Sequence, residues 1–205
     1  MVEGFAILTE TIGNPIYRQE VPPSSIERYR GKLPDPLLEL WKEHGWCDYG
    51  EGIFWLANPQ EYEGILNYWI SNIATELTDT YHVIARSAFG DLYLWGEKTG
   101  PSLNIYSNVS RFSYDPVDRP AQAATRALQA FLLSLSVEYL DFDDFFSLAK
   151  KKLGILSQDE IYGFTPALML GGAAKLENIE KLKAVEHLTI LSQLAELEPY
   201  TLSDL

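Results

Sequence analysis

Cysteine and histidine are scarce in this 205-residue chain, which holds one of the former, Cys47, and three of the latter, His44, His82 and His187. A single cysteine excludes an intramolecular disulfide framework and a multi-cysteine zinc site. Basic residues are short as well: 16 Lys and Arg face 29 Asp and Glu, for a formal net charge of −13. No stretch approaches the roughly 18 apolar residues that span a bilayer. The first residues, MVEGFAILTE, lack a basic segment followed by a cleavable apolar run, so no signal peptide is expected and the compartment reads as cytoplasmic and reducing. Neither a G-x-S-x-G elbow, a P-loop nor a G-x-G-x-x-G turn is present, which removes the usual sequence marks of serine hydrolases and nucleotide binders.

Apolar residues make up 46% of the chain and aromatics 13%, enough for a substantial core without a metal or disulfide. The acidity is spread along the chain. Nine basic residues stand against seventeen acidic ones before Pro120, and seven against twelve after it. Such a surface repels phosphate backbones, which argues against nucleic-acid binding. It attracts a basic partner, although the same charge also serves plain solubility.

The first half mixes helix and strand signals. Ser24 to Arg30 is a short helix candidate after Pro22-Pro23. Asp35-Pro36 reads as a helix start and Gly45 as its stop, with Leu37, Leu38, Trp41 and His44 on one face. Asn58-Pro59 repeats that start, with Glu61 in the capping-box position and Tyr62, Ile65, Leu66, Trp69 and Ile73 on the buried face. From Tyr81 the period turns towards two. Tyr81 to Ser87, Asp91 to Trp95, Leu103 to Tyr106 and a further run near Val109 to Tyr114 predict an antiparallel meander with glycine turns. The polar, proline-bearing segment Asp115 to Pro120 is the expected boundary, giving a mixed α+β domain over 1–118 and a small all-α domain over 119–205. In the second, Ala121 to Ser134 reads as one helix. Asp141 caps another that ends at Gly154, with Phe142, Phe145, Phe146, Ala149 and Leu153 inside. Ser157 to Glu160 fits a capping box, and Glu177 to Leu197 reads as a last helix with a spiralling apolar stripe.

Candidates for chemistry are few. His44 lies three residues before Cys47, but at a helix end and across its glycine terminator, so core packing is the better account. His82 and His187 have no second ligand at zinc spacing. Leu170-Gly171-Gly172-Ala173 lacks the lysine and third glycine of a phosphate loop and reads as a tight turn. Glu138, Asp141, Asp143 and Asp144 form an acidic cluster with three readings. They cap a helix that ends in Lys150-Lys151-Lys152, face a partner, or ligate a hard cation, though the EF-hand pattern is absent. Trp46 and Tyr49, in a glycine-flanked loop, are either core or interface anchors. Nothing here assembles an active site, which favours a binding module without catalytic residues, metal or cofactor.

Two stretches carry a resemblance. Val21-Pro22-Pro23, Leu33-Pro34 with Leu37 to Trp41, Gly52 to Trp55 with Asn58-Pro59 and Tyr62, and Arg86 to Tyr93 resemble the GAD-like domain over roughly residues 5 to 110. Glu138-Tyr139, Asp141 to Asp144, Gly154, Asp159 to Phe164, Leu170 to Gly172 and Glu186 to Leu188 look like the C-terminal domain of type VI secretion immunity proteins. The resemblance implies an immunity protein that neutralises a cognate toxin, in this family usually a DNase, by direct contact. It carries no catalytic residues across. An acidic inhibitor suits a basic nuclease, and the expected contacts are Asp141, Asp143, Asp144, Asp159 and Glu160, with no nucleic acid or membrane as partner. The alternatives are an adaptor in the manner of the SUKH superfamily and a metal-dependent hydrolase built on the carboxylates.

Overall fold

In the computed structural model, residues 3–73, 77, 79–118 and 120–200 are described, with the backbone alone at 121 and 122. The chain runs α1 (Glu3–Thr11), β1 (Arg18–Gln19), α2 (Pro23–Tyr29), α3 (Asp35–His44), β2 (Trp46–Tyr49), β3 (Phe54–Leu56), α4 (Pro59–Ser71), β4 (Tyr81–Ser87), β5 (Leu92–Gly96), β6 (Gly100–Tyr106) and β7 (Arg111–Tyr114). It continues through α5 (Ala121–Ser134), α6 (Val137–Leu140), α7 (Phe145–Leu153), β8 (Glu160–Phe164), β9 (Ile179–Lys183), α8 (Ala184–Leu194) and β10 (Glu198–Pro199).

Strands β1 to β7 form one antiparallel sheet in sequence order, and β10 adds in parallel to β7 at its far edge. The meander expected from Tyr81 onwards is its centre. Two apolar layers cover the sheet. One packs Leu8, Trp41, Trp46, Phe54, Trp55, Leu128, Leu132, Phe146 and Phe164 together, and so joins α1, α3, α5 and α7. The other packs the α4 face of Tyr62, Ile65, Leu66 and Trp69 against Val83, Leu94, Leu103, Leu188 and Leu191. With both faces covered, β2 and β3 are buried at every position and show no alternation. Trp46 and Tyr49 are thus core residues of β2.

Local signals behave as their chemistry requires. The Asn58 side chain accepts from the Gln60 amide at 3.2 Å, and its own amide donates to Glu61 at 3.1 Å. Asn58→Ala is expected to lower stability by about 1 kcal/mol, read as a urea midpoint shift at constant slope. Gly45 ends α3 at φ 81°, and a Cβ there would sit 2.2 Å from the Gln19 carbonyl oxygen. Only glycine lets α3 stop beside β1.

The C-terminal part departs from the all-α expectation. Ser157 to Glu160 forms the expected capped turn, and a strand follows it: the Ser157 amide donates to the Glu160 carboxylate at 2.8 Å and the Glu160 amide to the Ser157 carbonyl at 3.0 Å as β8 begins. The expected long helix from Glu177 splits. Its first turn is 3-10, Ile179 to Lys183 pairs antiparallel with β8, and α8 starts only at Ala184. The stripe spaced by three satisfies neither a straight helix nor a clean strand, and the ladder with β8 decides it. β8 itself straddles both layers, with Ile161 in one and Tyr162 and Phe164 in the other.

Candidate partner-binding surface

The acidic cluster sits on a turn of unusual backbone. Between α6 and α7, Phe142, Asp143 and Asp144 have φ of 52°, 55° and 64°, three consecutive left-handed residues without a glycine. Each costs roughly 1–2 kcal/mol relative to a right-handed turn. Packing offsets this: the Phe142 ring stacks on Phe89 at 5.0 Å and meets Phe164 at 5.4 Å. Asp141 closes the turn by accepting from the Phe146 amide at 2.7 Å, so it is the cap expected of it, reached from five residues away. Asp143 and Asp144 are exposed and make no side-chain hydrogen bond or ion pair among the described residues.

Asp159 and Glu160 lie elsewhere and are engaged. Asp159 accepts from Lys183 at 2.5 Å, which holds its carboxyl below the usual range. Glu160 is held low first by the Ser157 amide and then by Lys181 at 3.4 Å. Phe142 touches the Phe164 end of β8, whereas Glu160 begins it, a separation of about 13 Å along the strand. The five carboxylates therefore do not form one cluster.

Between them runs a joint between the two parts of the chain. Arg86 of β4, only 1% exposed, donates to the Gln158 carbonyl at 2.7 Å and to the Ser87 carbonyl at 3.2 Å, and its guanidinium lies 4.8 Å from the Trp55 ring centre. The Gln158 side chain accepts from the Tyr17 hydroxyl at 2.8 Å and donates to Gln19. The Tyr162 amide donates to the Ala88 carbonyl at 2.9 Å. Sequence reasoning passed over Arg86, because a basic residue inside a strand reads as solvent-facing.

The remaining candidates are structural in their surroundings. The Cys47 thiol is buried, donates to the His44 carbonyl at 2.8 Å, and burial pushes its pKa up to about 11. That suppresses the thiolate a nucleophile needs. The His44 ring stacks on Phe5 at 3.9 Å, and His82 sits 2.9 Å from the Glu97 carboxylate. Gly171 ends a 3-10 turn at φ 83° within the β8–β9 connection, and a Cβ on Gly172 would meet the Pro166 carbonyl at 2.1 Å, so the pair makes a tight turn. Among the described residues no group of three or more His, Cys, Asp or Glu is placed to hold a metal ion, and no helix is long and apolar enough to cross a membrane.

One partly buried acid has a pH signature. Asp91, beside Ser87 in the turn before β5, has its pKa pushed up to about 6 by burial, against bonds from Ser87 and the Ser107 amide that pull it down. The folded chain thus holds this proton over a range where the unfolded chain has lost it, and stability falls as pH rises from about 4 to about 6. Asp91→Asn is expected to flatten that part of the profile. Urea midpoints measured at unit pH steps check it, and a variant profile parallel to the parent between pH 4 and 6 contradicts it.

A family model described as GAD-like domain matches residues 3–109, just over half of the chain. The chain belongs to the GAD-like family. Directly after this GAD-like part, residues 125–195 match the model described as T6SS immunity protein Tdi1, C-terminal. The left-handed turn, β8, β9 and α8 all fall inside that second match. Among solved structures, that of Atu4351 from Agrobacterium tumefaciens is similar at a TM-score of 0.81 and 22% identity, covering 98% of this chain and 92% of that one. At that identity the likeness is one of fold. No curated protein matches this chain.

Proposed function

We propose that this GAD-like protein is a non-enzymatic immunity protein that neutralises a type VI secretion toxin, of nuclease chemistry and basic surface, in the cytoplasm of the cell that makes it. The carrying observation is the ordered pair of matches, GAD-like over 3–109 and immunity C-terminal over 125–195. The net charge of −13 supports a basic partner, since complementary fields speed encounter and select against wrong partners. The working division is between a GAD-like part to residue 118 and an immunity part from 119. Asp143 and Asp144 are the acidic contacts this reading favours, being free and held on a rigid turn. Asp141, Asp159 and Glu160 contribute charge from positions where they already serve the fold.

The test is co-expression with the product of the adjacent reading frame. Growth arrest by that product alone, relieved by this chain, and co-elution on size exclusion that survives high salt are the expected results. A harmless neighbour and separate peaks overturn the reading. Within a bound pair, Asp143→Lys with Asp144→Lys is expected to weaken affinity about tenfold at low salt and less at high salt. Unchanged affinity removes these two residues from the contact.

A further inference from the structure

The two parts of the chain meet around an open groove of about 530 Å³. Ile12, Ile16 and Ile53 line it from the GAD-like side, and Val137, Phe146 and Lys150 from the other. Ile16 is 60% exposed and Val137 43%, so two apolar side chains at its mouth are left uncovered. Their segments are fixed. The backbone amides of Ile16 and Tyr17 both donate to buried Asp48, at 2.8 Å and 2.5 Å, and Val137 opens α6 behind the Ser136 cap.

Left-handed backbone lies in the groove wall on one side and leads into the helix that forms the other. Gly50, Glu51 and Gly52 have φ of 58°, 61° and 95°, and the turn at Phe142 to Asp144 lies one residue before α7, which carries Phe146 and Lys150. Glu51 pairs with Lys150, which spends the one cation of the lining. Of the exposed charges next in sequence to the lining and its helix, Asp143 and Asp144 before α7 and Glu138 beside Val137 are acidic, against the single Lys151. The margin is therefore apolar and acidic. A groove of similar volume between α2 and α3 differs: Arg30 and Lys42 there are interspersed with Glu27, Asp35 and Glu39, so its charges are mixed in sign.

We infer that this groove at the joint is the docking surface for a basic protein partner, which inserts an apolar side chain between Ile16 and Val137 and sets flanking Lys or Arg against Asp143 and Asp144. The inference rests on the immunity reading and says where the toxin binds. Such a site matches the usual anatomy of tight interfaces, with an apolar anchor in a pocket and a charged rim that governs the on-rate. It also spans both parts of the chain, so that neither offers the whole surface.

The probe is the purified product of the adjacent reading frame, titrated against the full chain and its variants. Ile16→Lys and Val137→Lys each place a cation where the partner is basic and apolar, and each is expected to weaken binding at least tenfold. Val137→Asp removes the apolar contact but keeps the favourable sign, so its loss is smaller at low salt and approaches that of Val137→Lys at high salt. Tyr68→Lys, exposed on α4 across the sheet, is the control and retains parental affinity. All three sites are exposed, and thermal unfolding within a few degrees of the parent confirms that each of the four variants folds. If the parent binds and the groove variants bind equally well, or Tyr68→Lys loses as much as they do, the groove assignment falls and the immunity reading stands. If the parent does not bind, both fall.

Discussion

Arg86→Ala is expected to lower the unfolding free energy by about 3–5 kcal/mol. The Gln158 carbonyl loses its Arg86 donor and the Ser87 carbonyl loses one of two, keeping the Gly90 amide at 3.3 Å, and a buried acceptor left without a partner costs about 1–3 kcal/mol. The Trp55 face loses its stacked guanidinium and a cavity opens, while relief of a desolvated buried charge offsets part of the loss. In a chain of this size that amounts to a melting temperature lower by roughly 10 °C. Arg86→Lys keeps the charge but lacks the planar fork that reaches both carbonyls, and is expected to lose about half as much. Urea unfolding at constant slope measures both. A loss below about 1 kcal/mol for the alanine variant shows that Arg86 does not hold the joint. The Gln158 carbonyl is the link to the C-terminal part, so partner affinity is expected to drop with stability even though Arg86 lies away from the groove.

Phe89→Ala is the second large effect, at about 3–5 kcal/mol, the usual range for emptying a buried phenylalanine site. Phe89 is 1% exposed and lies within 5.0 Å to 6.3 Å of the rings of Phe142, Tyr162 and Phe164, so it is the point where the β4–β5 turn, β8 and the left-handed turn share one aromatic cluster. Removing it takes away the packing that offsets the backbone cost of the turn. Amide hydrogen exchange at residues 142–146 is expected to rise well above any change in α4, which belongs to the other layer. Equal increases in both places show a global loss alone and contradict a turn held by Phe89. The variant also separates charge from geometry at Asp143 and Asp144, since it keeps both carboxylates and loosens their frame.

The elements that sequence reasoning reached are those whose signals are local. Asn58-Pro59 and Gly45 act through bonds and φ angles within a few residues, and the Tyr62 to Ile73 stripe needs only one covered helix face. The meander after Tyr81 is bounded by its own glycine turns. What was missed depends on partners distant in the chain. α1 becomes a helix against α3 and α5. β2 and β3 carry no alternation because both their faces are covered. Ile179 to Lys183 becomes a strand because β8, nineteen residues earlier at its start, offers a ladder.

The candidate surface divides the same way. The sequence alone determined an acidic chain with a single cysteine and no nucleotide loop, together with the ordered motifs of two families. Those properties are sums over residues or short patterns, and folding does not alter them. Which carboxylates are free was decided only by the tertiary structure. Asp159 and Glu160 are met by Lys183 and Lys181 because the β8–β9 register sets Glu160 opposite Lys183 and brings both lysines within diagonal reach, whereas Asp143 and Asp144 are held outward by a turn that the distant ring of Phe89 stabilises. The groove at Ile16 and Val137 joins residues more than a hundred positions apart, and contacts of that range exist only once the two parts have packed.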